Sequence, residues 1–177
     1  MNKIQLKTPL TYYGGKQKLL PYLLPRVPEK YNLYNEPFCG GAALFFALKP
    51  ADIEVLNDTN KELMNFYSVV KTKFFDLEKR ISVTLHSRSM HRDASLIYNN
   101  PHLFDEVQRA WAVWVLAAQS FSALLDGSWG YDKTENRTSK LLQTRKERFT
   151  EEMAIRLQNV QIECTDALYI IDSRDTK

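Results

Sequence analysis

The alternation of extended and helical segments between residues 34 and 70 limits the possible folds most. Tyr34-Asn35-Glu36-Pro37-Phe38 is a short extended run broken by Gly40-Gly41, and the apolar stretch Ala42 to Leu48 then reads as a buried helix that stops at Pro50. Ile53-Glu54-Val55-Leu56 follows as a second strand with β-branched residues and ends in Asn57-Asp58. Asn60 can cap a further helix that carries Leu63, Met64, Phe66, Tyr67 and Val70 at helical spacing. Strand, helix, strand, helix with short connections argues for an α/β fold with a parallel, doubly wound sheet, whose ligands bind beyond the carboxyl ends of its strands. Gly40 and Asp58 both fall at such ends.

Beyond residue 72 the pattern changes to helical segments and polar loops, with a long apolar helix expected from Val107 through Leu125 that includes Trp111, Trp114 and Leu116. Residues 61–149 therefore read as a mostly helical insertion, and 1–60 with 150–177 as the sheet-bearing core. Val160-Gln161-Ile162-Glu163-Cys164 alternates apolar and polar like a strand returning to the sheet, and Thr165-Asp166 caps a short helix up to Ile171. A length of 177 residues suits one domain carrying such an insertion. With 44% hydrophobic and 25% charged residues the chain has the make-up of a globular protein, which excludes intrinsic disorder. No run approaches the roughly 20 apolar residues of a spanning helix. The start, Met1 to Pro9, lacks a signal peptide's apolar core, so a cytoplasmic protein with no membrane partner is expected. Cys39 and Cys164 form no Cys-x-x-Cys pair and read as structural thiols; His86, His91 and His102 show no metal-ligand spacing and read as solvated.

The net charge of +3 says little, but its distribution says more. Between residues 133 and 148, Lys133, Arg137, Lys140, Arg145, Lys146 and Arg148 face only Glu135 and Glu147, which leaves the rest of the chain close to neutral. The loop Gly127-Ser128-Trp129-Gly130-Tyr131 runs straight into this basic segment. Cations that neutralise phosphate beside rings that stack on bases suit a nucleic acid; a solvated, salt-bridged surface would show the same composition.

Three segments carry the chemical signal. Tyr12-Tyr13-Gly14-Gly15-Lys16 allows close backbone approach and then offers a cation to a carboxylate or phosphate. Glu36-Pro37-Phe38-Cys39-Gly40-Gly41-Ala42 makes a tight turn into a helix N-terminus, which favours an anionic group. In Asn57-Asp58-Thr59-Asn60, Asp58 follows Phe38 by 20 positions, about where nucleoside-binding sheets place an acid that accepts hydrogen bonds from ribose hydroxyls. Each has a blander reading: a Gly-Gly pair is commonly just a turn, and Asp58 could merely cap the next helix.

In this order and spacing the three segments resemble the Dam-like family of adenine-N6 DNA methyltransferases, which use S-adenosylmethionine, and the resemblance covers essentially the whole chain. Tyr12 to Lys16 is similar to the family's aromatic-x-Gly-Gly-Lys motif, Glu36 to Ala42 to its cofactor turn, and Asn57 to Asn60 to its Asn/Ala-Asp-x-Asn motif. Phe121-Ser122-Ala123-Leu124 followed by Gly127-Ser128-Trp129-Gly130 resembles its aromatic-and-glycine recognition segment, with Ala123 in place of a common glycine. The resemblance implies a Rossmann-like methyltransferase sheet with a helical target-recognition insertion. It also implies that Asp58 binds the cofactor ribose, Lys16 its carboxylate and Tyr12 packs on it, that Phe38, Gly40 and Gly14 shape the pocket, and that Asp166 lies near the cofactor adenine. Double-stranded DNA is the implied partner, met by Trp129, Tyr131, Lys133, Arg137, Lys140 and Arg145. A dinucleotide oxidoreductase, the reading from another class, is disfavoured because the turn reads Gly40-Gly41-Ala42-Ala43-Leu44-Phe45 and lacks Gly-x-Gly-x-x-Gly.

Family members complete the reaction with Asp-Pro-Pro-Tyr, whose carboxylate and carbonyl accept from the adenine amine while the ring stacks on the flipped base. Here no two prolines are adjacent, and Asn99-Asn100-Pro101-His102 is a poor imitation. In the family that motif follows shortly after the segment matching Asp166 to Asp172. The expectation is therefore an amino-terminal portion of a methyltransferase with an incomplete sheet, no catalytic residue of its own and no activity alone, which needs a second chain or a further carboxy-terminal segment. A non-catalytic DNA-binding or split-enzyme subunit is the alternative.

Overall fold

The computed structural model describes residues 6–175. Its centre is the strand the β-branched run predicts. In chain order, the amino-terminal segment turns through short helical pieces that include α1 (Leu20–Leu23), then enters β1 (Leu33–Glu36), α2 (Ala43–Ala47) and β2 (Ile53–Asn57). The helices α3 (Lys61–Thr72), α4 (Phe74–Ser82), α5 (Arg88–Asn99), α6 (Glu106–Gln119), α7 (Arg137–Glu147) and α8 (Glu151–Leu157) follow, and the chain returns through β3 (Gln161–Glu163) to α9 (Ala167–Arg174).

The three strands form a parallel sheet in the order β1-β2-β3, with Asn35 opposite Val55 and Leu56 opposite Ile162. β2 is central, and its Val55 and Leu56 are fully buried. Helix starts follow local chemistry: the Asn60 side chain accepts from the amides of Glu62 and Leu63, and the Asp166 side chain from those of Leu168 and Tyr169. Asp105 and Gln108 close a reciprocal capping box at the start of α6.

α3 packs both on the sheet side, against β3 and α8, and on α6, so one apolar core runs from Phe45 and Leu56 through Phe66 to Trp114. Two ion pairs, one buried and one partly buried, stitch it. Arg156 of α8 grips Glu54 of β2 with both guanidinium nitrogens and lies 3.7 Å over the Phe45 ring, and Arg109 of α6 bonds Glu62 of α3 at 2.7 and 2.8 Å. No helix among the described residues is long and apolar enough to cross a membrane.

The apolar helix expected to run to Leu125 stops at Gln119. Ser120 turns extended at φ −75° and ψ 150°, which ends the helix, and residues 119–130 then double back as a hairpin in which Ser122 and Ala123 hold left-handed φ of 55° and 57°. Its rungs are Phe121 N–H to Ser128 O at 2.8 Å and Gly130 N–H to Gln119 O at 2.7 Å. The histidines also differ from a uniformly solvated set: His91 is only 6% exposed and shares a 2.8 Å hydrogen bond with Ser120 Oγ, because the hairpin folds back over α5. Of the two thiols, Cys39 is buried but Cys164 is exposed.

Candidate functional site

The carboxyl ends of β1 and β2 open into two turns that converge. Cys39 N–H bonds Asn57 O at 2.9 Å, which draws the Pro37–Gly41 turn onto the end of β2. Gly40 donates its N–H to Asp58 Oδ2 at 3.1 Å, and Asn60 donates to Asp58 Oδ1 at 3.0 Å. Each carboxylate oxygen thus spends one acceptor site on backbone and keeps another. Gly40 lies at φ +48°, and a Cβ there would sit 3.1 Å from the Tyr12 ring, so both conformation and space require glycine. The carbonyl of Gly40 accepts from the fully buried Tyr67 hydroxyl at 2.7 Å.

Asn57 has no exposure at all and binds the fork together: its Nδ2 donates to Pro37 O and to Thr165 O, each at 3.0 Å, and its Oδ1 accepts from Thr165 N at 2.9 Å. Asp166 is thereby held just past β3 on the same end of the sheet, exposed and occupied as the cap of α9.

The amino-terminal segment reaches this corner through Lys16, whose ammonium bonds Phe38 O at 2.7 Å and Glu36 Oε1 at 2.9 Å. Glu36 is 5% exposed and also accepts from Tyr34 OH at 2.7 Å. Sequence reading missed Glu36 as a partner, because a carboxylate 20 residues away gives no local signal of the pairing. Phe38 stands out from the turn with its ring 67% exposed. Tyr12, Gly14, Lys16, Phe38, Gly40 and Asp58 are therefore grouped at one rim of the sheet. Burial, and then the Asp58 charge, push the Tyr12 hydroxyl above its ordinary pKa; burial does the same to the Cys39 thiol and to Tyr34 and Tyr67, which keeps these hydroxyls protonated donors.

Beside this corner a cleft of about 740 Å³ runs between the Tyr12–Gly15 turn and α7. Lys7, Lys18, Arg145, Arg148 and His86 line it, and among the described residues no Asp or Glu does. Arg145 is half-buried there, donates to Ala118 O near the end of α6, and has its pKa lowered by burial. A desolvated cation without a carboxylate partner is a place where an anion gains. Lys133, Arg137 and Lys140 are exposed beyond it, Arg137 paired with Glu135. Trp129 and Tyr131 stack at 5.5 Å and 19°, with His86 against Trp129 at 5.0 Å. A larger groove of about 920 Å³ between α4 and α6 mixes Lys73, Lys79 and Arg80 with Asp76, Asp105 and Glu106, so its charges are matched internally.

Fold and site together define a mixed α/β protein with converging turns at its strand ends and a neighbouring cleft lined by basic side chains. Comparison with known sequences narrows this. The pattern of the D12 class N6 adenine-specific DNA methyltransferases matches residues 12–177, and the chain belongs to that family. It is 50% identical over 70 residues to the type II methyltransferase M1.LlaDCHI of Lactococcus lactis subsp. cremoris, a match covering 40% of this chain and 24% of that protein. It is 35% identical over 71 residues to the modification methylase StsI of Streptococcus sanguinis, covering 40% of this chain and 11% of that one. The matched segment thus spans a quarter or less of either relative.

Proposed function

We propose that this chain forms the cofactor-binding and target-binding part of a DNA methyltransferase that moves a methyl group from S-adenosylmethionine to the N6 amine of an adenine flipped out of the duplex. One observation carries the reading: Tyr12, Lys16, Phe38, Gly40 and Asp58, distant in sequence, meet at one rim of a parallel sheet beside a cleft that no Asp or Glu among the described residues lines. The sheet is read as the first three strands of a Rossmann-like methyltransferase core, and residues 61–149 as the target-recognition insertion, although α3 shares its packing with the core.

The residues fit the cofactor. The two acceptor positions that Asp58 keeps suit the vicinal hydroxyls of a ribose, and the third donor of Lys16 suits a carboxylate. Tyr12 packs beside Gly40 where a flat group would lie, Gly14 lets the backbone approach, Phe38 closes the floor, and Asp166 borders the adenine. Bound there, S-adenosylmethionine would supply an electrophilic methyl group on its sulfonium for the adenine amine. Lys133, Arg137, Lys140 and Arg145 hold the DNA by its phosphates, and Trp129 and Tyr131 border its path.

The groups that would accept the amine proton are not found in this sequence, so methyl transfer by the chain alone is not expected. β1 supports a further strand: among the described residues its outer edge is unpaired, and the buried Asn35 Oδ1 finds no donor. A strand from another segment or a second chain would complete the sheet there.

Titration calorimetry with S-adenosylhomocysteine tests the cofactor reading. The wild-type chain binds, and Asp58→Asn binds about 10- to 100-fold more weakly, the loss of one charge-assisted hydrogen bond or more. Binding of a nicotinamide dinucleotide instead of S-adenosylhomocysteine overturns the reading. Transfer of tritium from labelled S-adenosylmethionine to adenine in duplex DNA by the chain alone overturns the expected inactivity.

A further inference from the structure

Arg88 is absent from the basic run between residues 133 and 148, yet two aromatic rings position it near the cleft. It is the first residue of α5, and its guanidinium lies over the Trp129 ring at 4.7 Å and the Tyr131 ring at 5.6 Å. Among the described residues no hydrogen bond or ion pair engages it, and the indole Nε1 of Trp129 also finds no acceptor, so its place beside the Trp129–Tyr131 pile rests on cation–π attraction. His86, two residues before Arg88, lines both the cleft and the recess of about 370 Å³ beside Trp129 and Lys133, and its Nε2 is 3.1 Å from Gly130 O. The pile therefore stands at the mouth of the cleft, at the base of the hairpin.

A guanidinium held against two rings by cation–π attraction keeps its place while its N–H groups stay free, which suits it to meeting two acceptors side by side. Phosphate contacts need charge more than orientation, and the exposed Lys133, Arg137 and Lys140 supply that nearby. Resting on the DNA reading above, we propose that Arg88 determines sequence specificity by pairing its guanidinium edge with the N7 and O6 acceptors of a guanine in the major groove, the base edge that offers such a pair. The aromatic pile is the positioning device, and α5 the rigid element that carries it.

The experiment selects duplexes from a random-sequence pool with the wild-type chain, Arg88→Lys and Arg88→Ala, each also titrated with salt. The wild type enriches a motif containing a guanine. Arg88→Lys keeps the charge and holds its affinity for bulk DNA within about two-fold, but loses the preference at that one position by about ten-fold. A merely structural role for the stack would lower the melting temperature or weaken all sequences alike, and would leave every preference intact. If Arg88→Lys retains the guanine preference, or if it restores a salt dependence that Arg88→Ala has lost, Arg88 is a phosphate or packing residue and the proposal is overturned. A wild-type chain that binds DNA without preference overturns it too. A wild-type chain that binds no DNA overturns the underlying reading as well, and that failure is visible without any variant.

Discussion

Replacing Gly40 with alanine isolates the contact on which the corner is built. The backbone there has φ +48°, where an L-residue costs about 1–2 kcal/mol relative to glycine. The added Cβ meets Tyr12 Cδ1 at 3.1 Å and Cε1 at 3.3 Å, inside the roughly 3.5–4.0 Å optimum for two carbons, so the ring must give by a few tenths of an ångström. Together these predict a loss of about 1–3 kcal/mol and a fall in melting temperature of roughly 2–12 °C for a chain of this length. Gly14→Ala is the matched control, because Gly14 has φ +70° with nothing within 4 Å of the added carbon. It carries the backbone cost without the collision. Scanning calorimetry should place Gly40→Ala below Gly14→Ala, and Gly40→Ala should bind S-adenosylhomocysteine about five-fold more weakly, the equivalent of 1 kcal/mol for a displaced Tyr12 ring. Equal melting temperatures for the two variants, with unchanged ligand binding by Gly40→Ala, would refute the idea that Tyr12 is seated on Gly40 to shape the site.

Arg156→Met leaves the buried Glu54 carboxylate without its partner and should cost about 3–5 kcal/mol, read by urea denaturation. Burial, and then the neighbouring Arg88 charge, lower the pKa of His91 below its ordinary value of 6.5. The unfolded chain therefore takes up a proton near pH 6.5 that the folded chain resists, so this stability is present above that pH and is lost as pH falls toward the folded value. The slope reaches at most about 1.4 kcal/mol per pH unit and flattens in His91→Asn. Arg145→Ala should weaken DNA binding and make the plot of log affinity against log salt shallower by about one, measured by fluorescence anisotropy; an unchanged slope would remove Arg145 from the phosphate contacts.

What the sequence discloses is largely what is local. Asn60 and Asp166 announce their helices because a cap acts across three residues, and the β-branched run at 53–57 announces β2 because a buried strand needs little else. The meeting of Gly40 and Asp58 at one rim follows from the parallel topology, which puts the turns after successive strands on one side, whereas Tyr12 arrives from the amino-terminal segment. Lys16 is different: its grip on Glu36 is a long-range outcome with no periodic signature, so the lysine reads as free until the fold brings the carboxylate to it. The hairpin at 119–130 is hidden for the opposite reason. The apolar run through Leu125 satisfies helical periodicity, and the contacts that hold the doubled-back chain, Gly130 O with His86 and Ser120 with His91, come from residues some thirty to forty positions earlier. Arg88 goes unnoticed because a single arginine in a polar stretch has no meaning until Trp129 and Tyr131, some forty residues later, slide beneath it.

Asn57 has a consequence for motion. Where the backbones splay and the ladder runs out, its amide serves as one more rung, clasping the chain on either flank at once. The loops after the outer strands cannot breathe separately, since parting one strains the clasp on the other. The rim behaves as a jaw of set gape, and a guest is admitted by matching its width.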